Sequence, residues 1–273
     1  MVLIHPAASV SPEAELAESV QVGPFAVVEP GARVGAGAVI EAHAVVHGAV
    51  DLGPGVRVGV HAVVGGDPQD LSFDPAVPTR AVVGARTVIR EGATVHRSTR
   101  EGEPTRVGEG CLLMGNTHTA HDCVVGDGAV ISQGTALGGH VTVEDQAVVG
   151  GAVAVHQHVR IGRMAMVGAL SKVTQDVLPY TLVDGSPARH WRVNLIGMRR
   201  RDVASAEQSA VRRAFMAMQR GEDDIEAEAR NGSSNGDGGG AALRALLDFR
   251  SAPSQRGIAD FGRRERLARK ADA

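Results

Sequence analysis

The chain has 273 residues, a formal net charge of -3, 3% aromatic residues, 35 glycines and two cysteines. A near-neutral balance excludes a global basic field for nucleic acid, and two cysteines exclude a disulfide framework. No stretch approaches the roughly 18 apolar residues of a membrane span, and the start "MVLIHPAASV" lacks a basic leader, so a cytoplasmic enzyme with no membrane insertion is expected.

From Ile4 to Val64 every sixth residue is aliphatic. The pattern slips by one, resumes at Val77, Val83, Ile89 and Val95, and runs on to Val173 with misses at Glu101 and Thr119. Glycine often follows the aliphatic, as at Gly23, Gly59, Gly126 and Gly150. A period of six fits neither a helix nor a simple strand alternation. It fits short strands, each ending in a turn with one aliphatic facing inward. Three such hexads close a triangular coil, and coils stack as parallel strands about 4.8 Å apart. The expected fold is mainly β: a parallel β-helix of hexapeptide repeats over residues 1–190, followed by a small C-terminal α-helical domain over 191–273.

Two stretches interrupt the repeat. "GGDPQDLSFDPAVPTR" (65–80) holds three prolines and predicts an external loop. "RSTREGEPTR" (97–106) keeps the hexad step but places Glu101 at an inward position, which predicts a bulge. After Val173 the repeat fails. From Asn194, "NLIGMRRRDVASAEQSAVRRAFMAMQ" has helical spacing. "NGSSNGDGGG" (231–240) predicts a flexible linker and "AALRALLDF" a further helix.

A coil of three hexads is a ruler. It stacks His121, Gly139 and Gln157 in one column and Asp122, His140 and His158 in the next, with His118 and His156 close by. It also stacks His43 on His61. Solenoid surfaces carry polar residues everywhere, so His5, His43, His47, His61 and His190 read as structural. The cysteines, Cys111 and Cys123, read as coil fillers. The 118–158 cluster reads as functional because its histidines converge on one face. Three readings fit it. Neutral histidines bind zinc. One histidine near neutral pKa acts as a general base, with a backbone N–H holding an oxyanion; Gly139 permits a close approach. A non-catalytic binding scaffold is the third reading.

The ordered segments "PQDL" (68–71), "IREGATVHR" (89–97), "HTAHDC" (118–123), "GGHV" (138–141), "GGAVAVHQ" (150–157), "QDVLPY" (175–180) and "NLIGMRRR" (194–201) resemble the UDP-N-acetylglucosamine O-acyltransferases of lipid A biosynthesis. The resemblance implies a left-handed β-helix in a homotrimer, with sites in the clefts between subunits. It implies transfer of an R-3-hydroxyacyl group from acyl carrier protein to the 3-hydroxyl of a UDP-sugar, without cofactor or metal. By motif, His121 is the general base, Asp122 orients it, and the Gly139 N–H holds the oxyanion. His118, His140, His156 and Gln157 match substrate-contacting positions. Asp70 matches the sugar end, and Asn194, Arg200 and Arg201 match the nucleotide end, where guanidinium groups suit a diphosphate. Ala169 matches the acyl-chain ruler, often Gly in long-chain enzymes. Two more positions depart from the family: Ser72 where lysine is usual, and Ile196 where glutamate is frequent. These departures keep open a related transferase on another UDP-sugar, giving an ester or an amide. A zinc hydratase of the carbonic anhydrase type is the rival from another class.

Overall fold

The computed structural model describes residues 1–222, 224–225 and 240–262. Strands of mostly two residues form three sheets of 11, 9 and 8 strands, parallel but for the last pair of the largest, and these are the three walls of a β-solenoid. Partner strands stand three hexads apart in the chain, as in Val22 with Ile40 and Val130 with Val148. The hexad aliphatics point inward: Ile40, Ile89, Leu113, Ile131, Leu137 and Ile161 are among the largest wholly buried side chains. One continuous apolar core therefore runs the length of the prism. Cys111 and Cys123 fill it, as the repeat predicted. Burial pushes the Cys123 thiol up to about 12, which leaves it a packing residue.

The corners explain where polar residues collect. Among the described residues, many turn positions have positive φ, including His43 (59°), His61 (59°), Asp122 (60°), His140 (61°) and His158 (64°). Outside glycine, that left-handed region favours Asn, Asp and His. Stacked coils repeat the same corner conformation, so histidines form columns.

The two interruptions need adjustment against the sequence reading. Arg57 pairs with Val39 on one side, a regular coil away, but with Val88 on the other, so the first insert lengthens that coil by more than two hexads. Gly65 and Gly66 still belong to strand Val63–Gly66, so the loop proper begins at Asp67 rather than at 65. Val77 lies in this loop, not at an inward repeat position; the aliphatic rhythm there is coincidental with the period. The second insert is the predicted bulge. Thr94 pairs with His118, four hexads on instead of three, so one hexad's worth of chain leaves the coil. Glu101 is exposed at a turn there.

After the last coil, strand Thr181–Gly185 extends the 11-stranded wall and turns back as Ala188–Val193. Among the described residues, helices α1 (Leu195–Arg200), α2 (Ser205–Arg220) and α3 (Gly240–Ser251) follow. The single helical stretch read from Asn194 is thus two helices, broken at 201–204. Met198, Val211, Phe215, Leu243, Leu246 and Phe249 make a second apolar cluster that covers Leu178 and Tyr180. Residues 257–262 then return to the solenoid, bridging Asp176 with Ile258 and His190 with Phe261. Of the linker read at 231–240, all but Gly240 lies outside the described residues.

Candidate active site

The ruler holds at the histidine cluster. His118 pairs with Ala136 and Thr119 with Leu137, so the corner that follows carries His121 and Asp122 directly against Gly139 and His140. A Cβ on Gly139 would sit 2.6 Å from His121 Cε1 and 2.7 Å from Nε2. Glycine at 139 is therefore required by the imidazole packed against it. Like His121 one coil earlier, Gly139 makes no N–H hydrogen bond to the described residues, while its carbonyl accepts from the His158 N–H at 3.0 Å.

His121 and Asp122 form a dyad. His121 Nδ1 lies 2.7 Å from Asp122 Oδ2, and their side chains are only 11% and 8% exposed. Asp122 also accepts from the Thr99 N–H at 2.9 Å and from the Thr99 hydroxyl at 2.8 Å. Its own N–H donates to Thr105 Oγ1 at 2.7 Å. Burial pushes the Asp122 carboxyl up, but the bonds from His121 and Thr99 and the charge of His140 outweigh it and hold it below 3.8. An ionised Asp122 accepts a hydrogen bond from His121 Nδ1–H, which leaves Nε2 as the basic nitrogen.

Further side chains ring the dyad. His140 Nε2 lies 3.6 Å from Asp122 Oδ2, and His158 stacks on His140 at 4.5 Å. His118 Nδ1 lies 2.8 Å from Thr94 Oγ1. Burial pulls His118 and His140 below 6.5, which favours their neutral forms. His156 and Gln157 are exposed on the next coil. Asp70 stands in the first loop with its Oδ1 accepting from both the Ser72 N–H and the Ser72 hydroxyl at 2.8 Å. Those two bonds lower its pKa.

Other candidates lie apart. Arg200 and Arg201 are exposed at the end of α1. The Asn194 side chain caps that helix, accepting from Gly197 N–H at 3.0 Å and donating to the Met164 carbonyl at 2.9 Å. Ala169 is exposed on another corner, against Gly150 of the coil below. Among the described residues of one chain, no hydrogen bond or ion pair joins these four residues to His121.

The sequence reading missed Thr99, Thr105 and His96. His96 is buried with an unpartnered Nδ1, edge-on to His118 at 4.7 Å, and its burial lowers its pKa to about 4. The ruler counts only along uninterrupted coils, so an insert's path escapes it. A histidine inside "IREGATVHR" was the available signal for His96.

One ligand atom from each of His121, Asp122 and His140 falls within 4.8 Å of the others. The donor set admits a cation in principle. The 2.7 Å contact between His121 and Asp122 has hydrogen-bond geometry, however, with the two groups already satisfying each other.

Residues 176–259 match the model of the second domain of UDP-N-acetylglucosamine O-acyltransferases. Residues 13–48 and 104–139 match the bacterial transferase hexapeptide model. An acyl-[acyl-carrier-protein]–UDP-N-acetylglucosamine O-acyltransferase from Paraburkholderia xenovorans is 40% identical over 93% of this chain and 98% of its own length. The chain belongs to the UDP-N-acetylglucosamine O-acyltransferase family. A second member, from Akkermansia muciniphila, is 55% identical over 78% of this chain and 82% of its own. Among solved members, the UDP-N-acetylglucosamine acyltransferase of Campylobacter jejuni superposes with a TM-score of 0.85 at 32% identity, covering 95% of this chain and all of that one. The protein is thus an acyltransferase of this family, built on hexapeptide repeats, and the zinc hydratase reading falls away. No helix among the described residues is long and apolar enough to cross a membrane.

Proposed function

We propose that the protein transfers an R-3-hydroxyacyl group from acyl carrier protein to the 3-hydroxyl of UDP-N-acetylglucosamine, the first step of lipid A biosynthesis. The observation that carries the mechanism is the His121–Asp122 dyad beneath Gly139. Asp122 holds the Nδ1–H tautomer, and His121 Nε2 takes the proton of the sugar hydroxyl as its oxygen attacks the thioester carbonyl. The Gly139 N–H donates to the resulting oxyanion. Collapse expels the carrier thiolate, which recovers the proton from Nε2. A positioned base contributes roughly 10²–10⁴ in rate and one oxyanion donor roughly 10²–10³.

His118, His140, His156, Gln157 and Asp70 surround this point as substrate contacts. Asn194, Arg200 and Arg201 take the nucleotide end, and Ala169 limits the acyl chain, with the site completed by neighbouring subunits of a homotrimer. Two features support self-association. The 11-stranded wall turns Val88, Leu112, Val130, Val148 and Met166 outward on successive coils, a stripe suited to an apolar interface. Leu71, at the loop beside Asp70, is fully exposed. A related product, an amide on a 3-amino UDP-sugar, is favoured by one observation: Ser72 replaces the family's lysine, and the exposed Asp70 carboxylate is bonded by Ser72 rather than by a cation.

The test is transfer from 3-hydroxyacyl carrier proteins of graded length to UDP-N-acetylglucosamine, wild type beside His121→Ala, with the product's linkage read by mass spectrometry. Ester formation that falls at least a hundredfold in the variant supports the proposal. No transfer to this sugar, with transfer to its 3-amino analogue, overturns it in favour of the amide. Equal rates in wild type and variant overturn the base assignment.

A further inference from the structure

The insert at 97–106 is fastened at both of its ends to one residue, Asp122. Thr99 meets the carboxylate with its N–H and its hydroxyl, one on each oxygen, and Thr105 Oγ1 accepts from the Asp122 N–H. The insert itself is braced. Ser98 N–H and Thr105 N–H both donate to the Arg80 carbonyl, and Arg80 is held by Asp51 at 2.7 and 2.9 Å. Arg97 bonds Asp67 at 2.9 Å and Thr79 at 3.2 Å and lies 4.8 Å over the Phe73 ring. A loop that served only to absorb extra residues would project into solvent; this one is anchored against the first insert and aims a threonine at a buried acid.

We propose that Thr99 is a positioning residue for acyl transfer: it fixes the Asp122 carboxylate in the rotamer that orients His121. The inference rests on the reading of His121 as the general base. Asp122 Oδ2 receives both the Thr99 hydroxyl and His121 Nδ1, so loss of the hydroxyl changes the atom that holds the base. The titratable groups facing this carboxylate are His121 and His140, with Arg100 acting on His140 from the insert. Without the Thr99 hydroxyl, Asp122 Oδ2 loses one of its donors and the carboxylate is held less firmly against His121 Nδ1.

The experiment compares wild type, Thr99→Val and Thr99→Ser in the full-length protein. Thr99→Val keeps the backbone N–H bond and nearly the same volume. The expected result is a kcat lower by roughly tenfold and a KM within twofold. Thr99→Ser restores both. Histidine-selective nitrogen NMR in the same proteins reads the Nδ1–H tautomer of His121 without any substrate, and Thr99→Val is expected to lose part of that signal. It therefore tests Thr99 even where the transfer reaction itself proves to be a different one. An unchanged Nδ1–H signal in Thr99→Val overturns the proposal, as does a loss confined to KM or an equal loss of kcat in Thr99→Ser.

Discussion

Two histidine columns run up this prism, and they differ in what stands beneath them. In the N-terminal half, Phe25 stacks on His43 at 5.0 Å and His43 on His61 at 4.8 Å. In the middle, His140 stacks on His158 at 4.5 Å over Asp122. Both occupy left-handed corners with positive φ, where histidine is tolerated for its backbone. The first column is exposed, and neither of its histidines pairs with an acid among the described residues. The second begins on a buried carboxylate with a second histidine, His121, bonded to it. A column of histidines is thus a by-product of the corner. The acid, and the insert that holds it, make the second column the candidate site.

The strongest way to break this comparison is His121→Ala, which should lower transfer by roughly 10²–10⁴ with the thermal midpoint little changed. Gly139→Ala comes next. Its methyl must displace the imidazole, so kcat should fall about a hundredfold while circular dichroism stays that of the wild type; a Gly139→Ala enzyme of full activity would show that His121 does not work from this position.

A smaller effect separates buried from exposed histidines by pH. His190 is wholly buried. It accepts from the Leu178 N–H at 3.0 Å, and its Nδ1 lies 2.9 Å from the Ala259 carbonyl. Burial depresses its pKa from 6.5 to about 4. A depressed histidine pKa contributes stability that is present above 6.5 and lost as pH falls toward 4, because the unfolded chain takes up the proton first. Denaturant unfolding should therefore show stability declining across that window, by about 3 kcal/mol at most from this group. His190→Gln should flatten the slope. The smallest effect is expected for the exposed column: His43→Ala with His61→Ala should leave transfer within twofold and stability within about 1 kcal/mol. A loss of activity there would give the first column a role that its geometry does not suggest.

Much of the architecture was legible because hexad periodicity is a local consequence of burial. One aliphatic per strand must face the axis, and the length of a coil follows from three such strands. That ruler correctly stacked His121 under Gly139 and Asp122 under His140. It failed at Val77, where an aliphatic met the period inside a loop. It was silent on Thr99, because the backbone of an insert is set by its tertiary anchors, here Arg80 and Arg97.

The sequence by itself determined the repeat, the inward faces and the residue types of the site, since each depends on short spacing and on side-chain chemistry. The tertiary structure alone decided what holds the site's groups in place. It brought Thr99 and Asp122 into contact across an interrupted coil. It also gave Asn194 the task of capping α1. Hydrogen bonds to a buried charge are directional and short-ranged, so they depend on the closed fold rather than on any spacing along the chain.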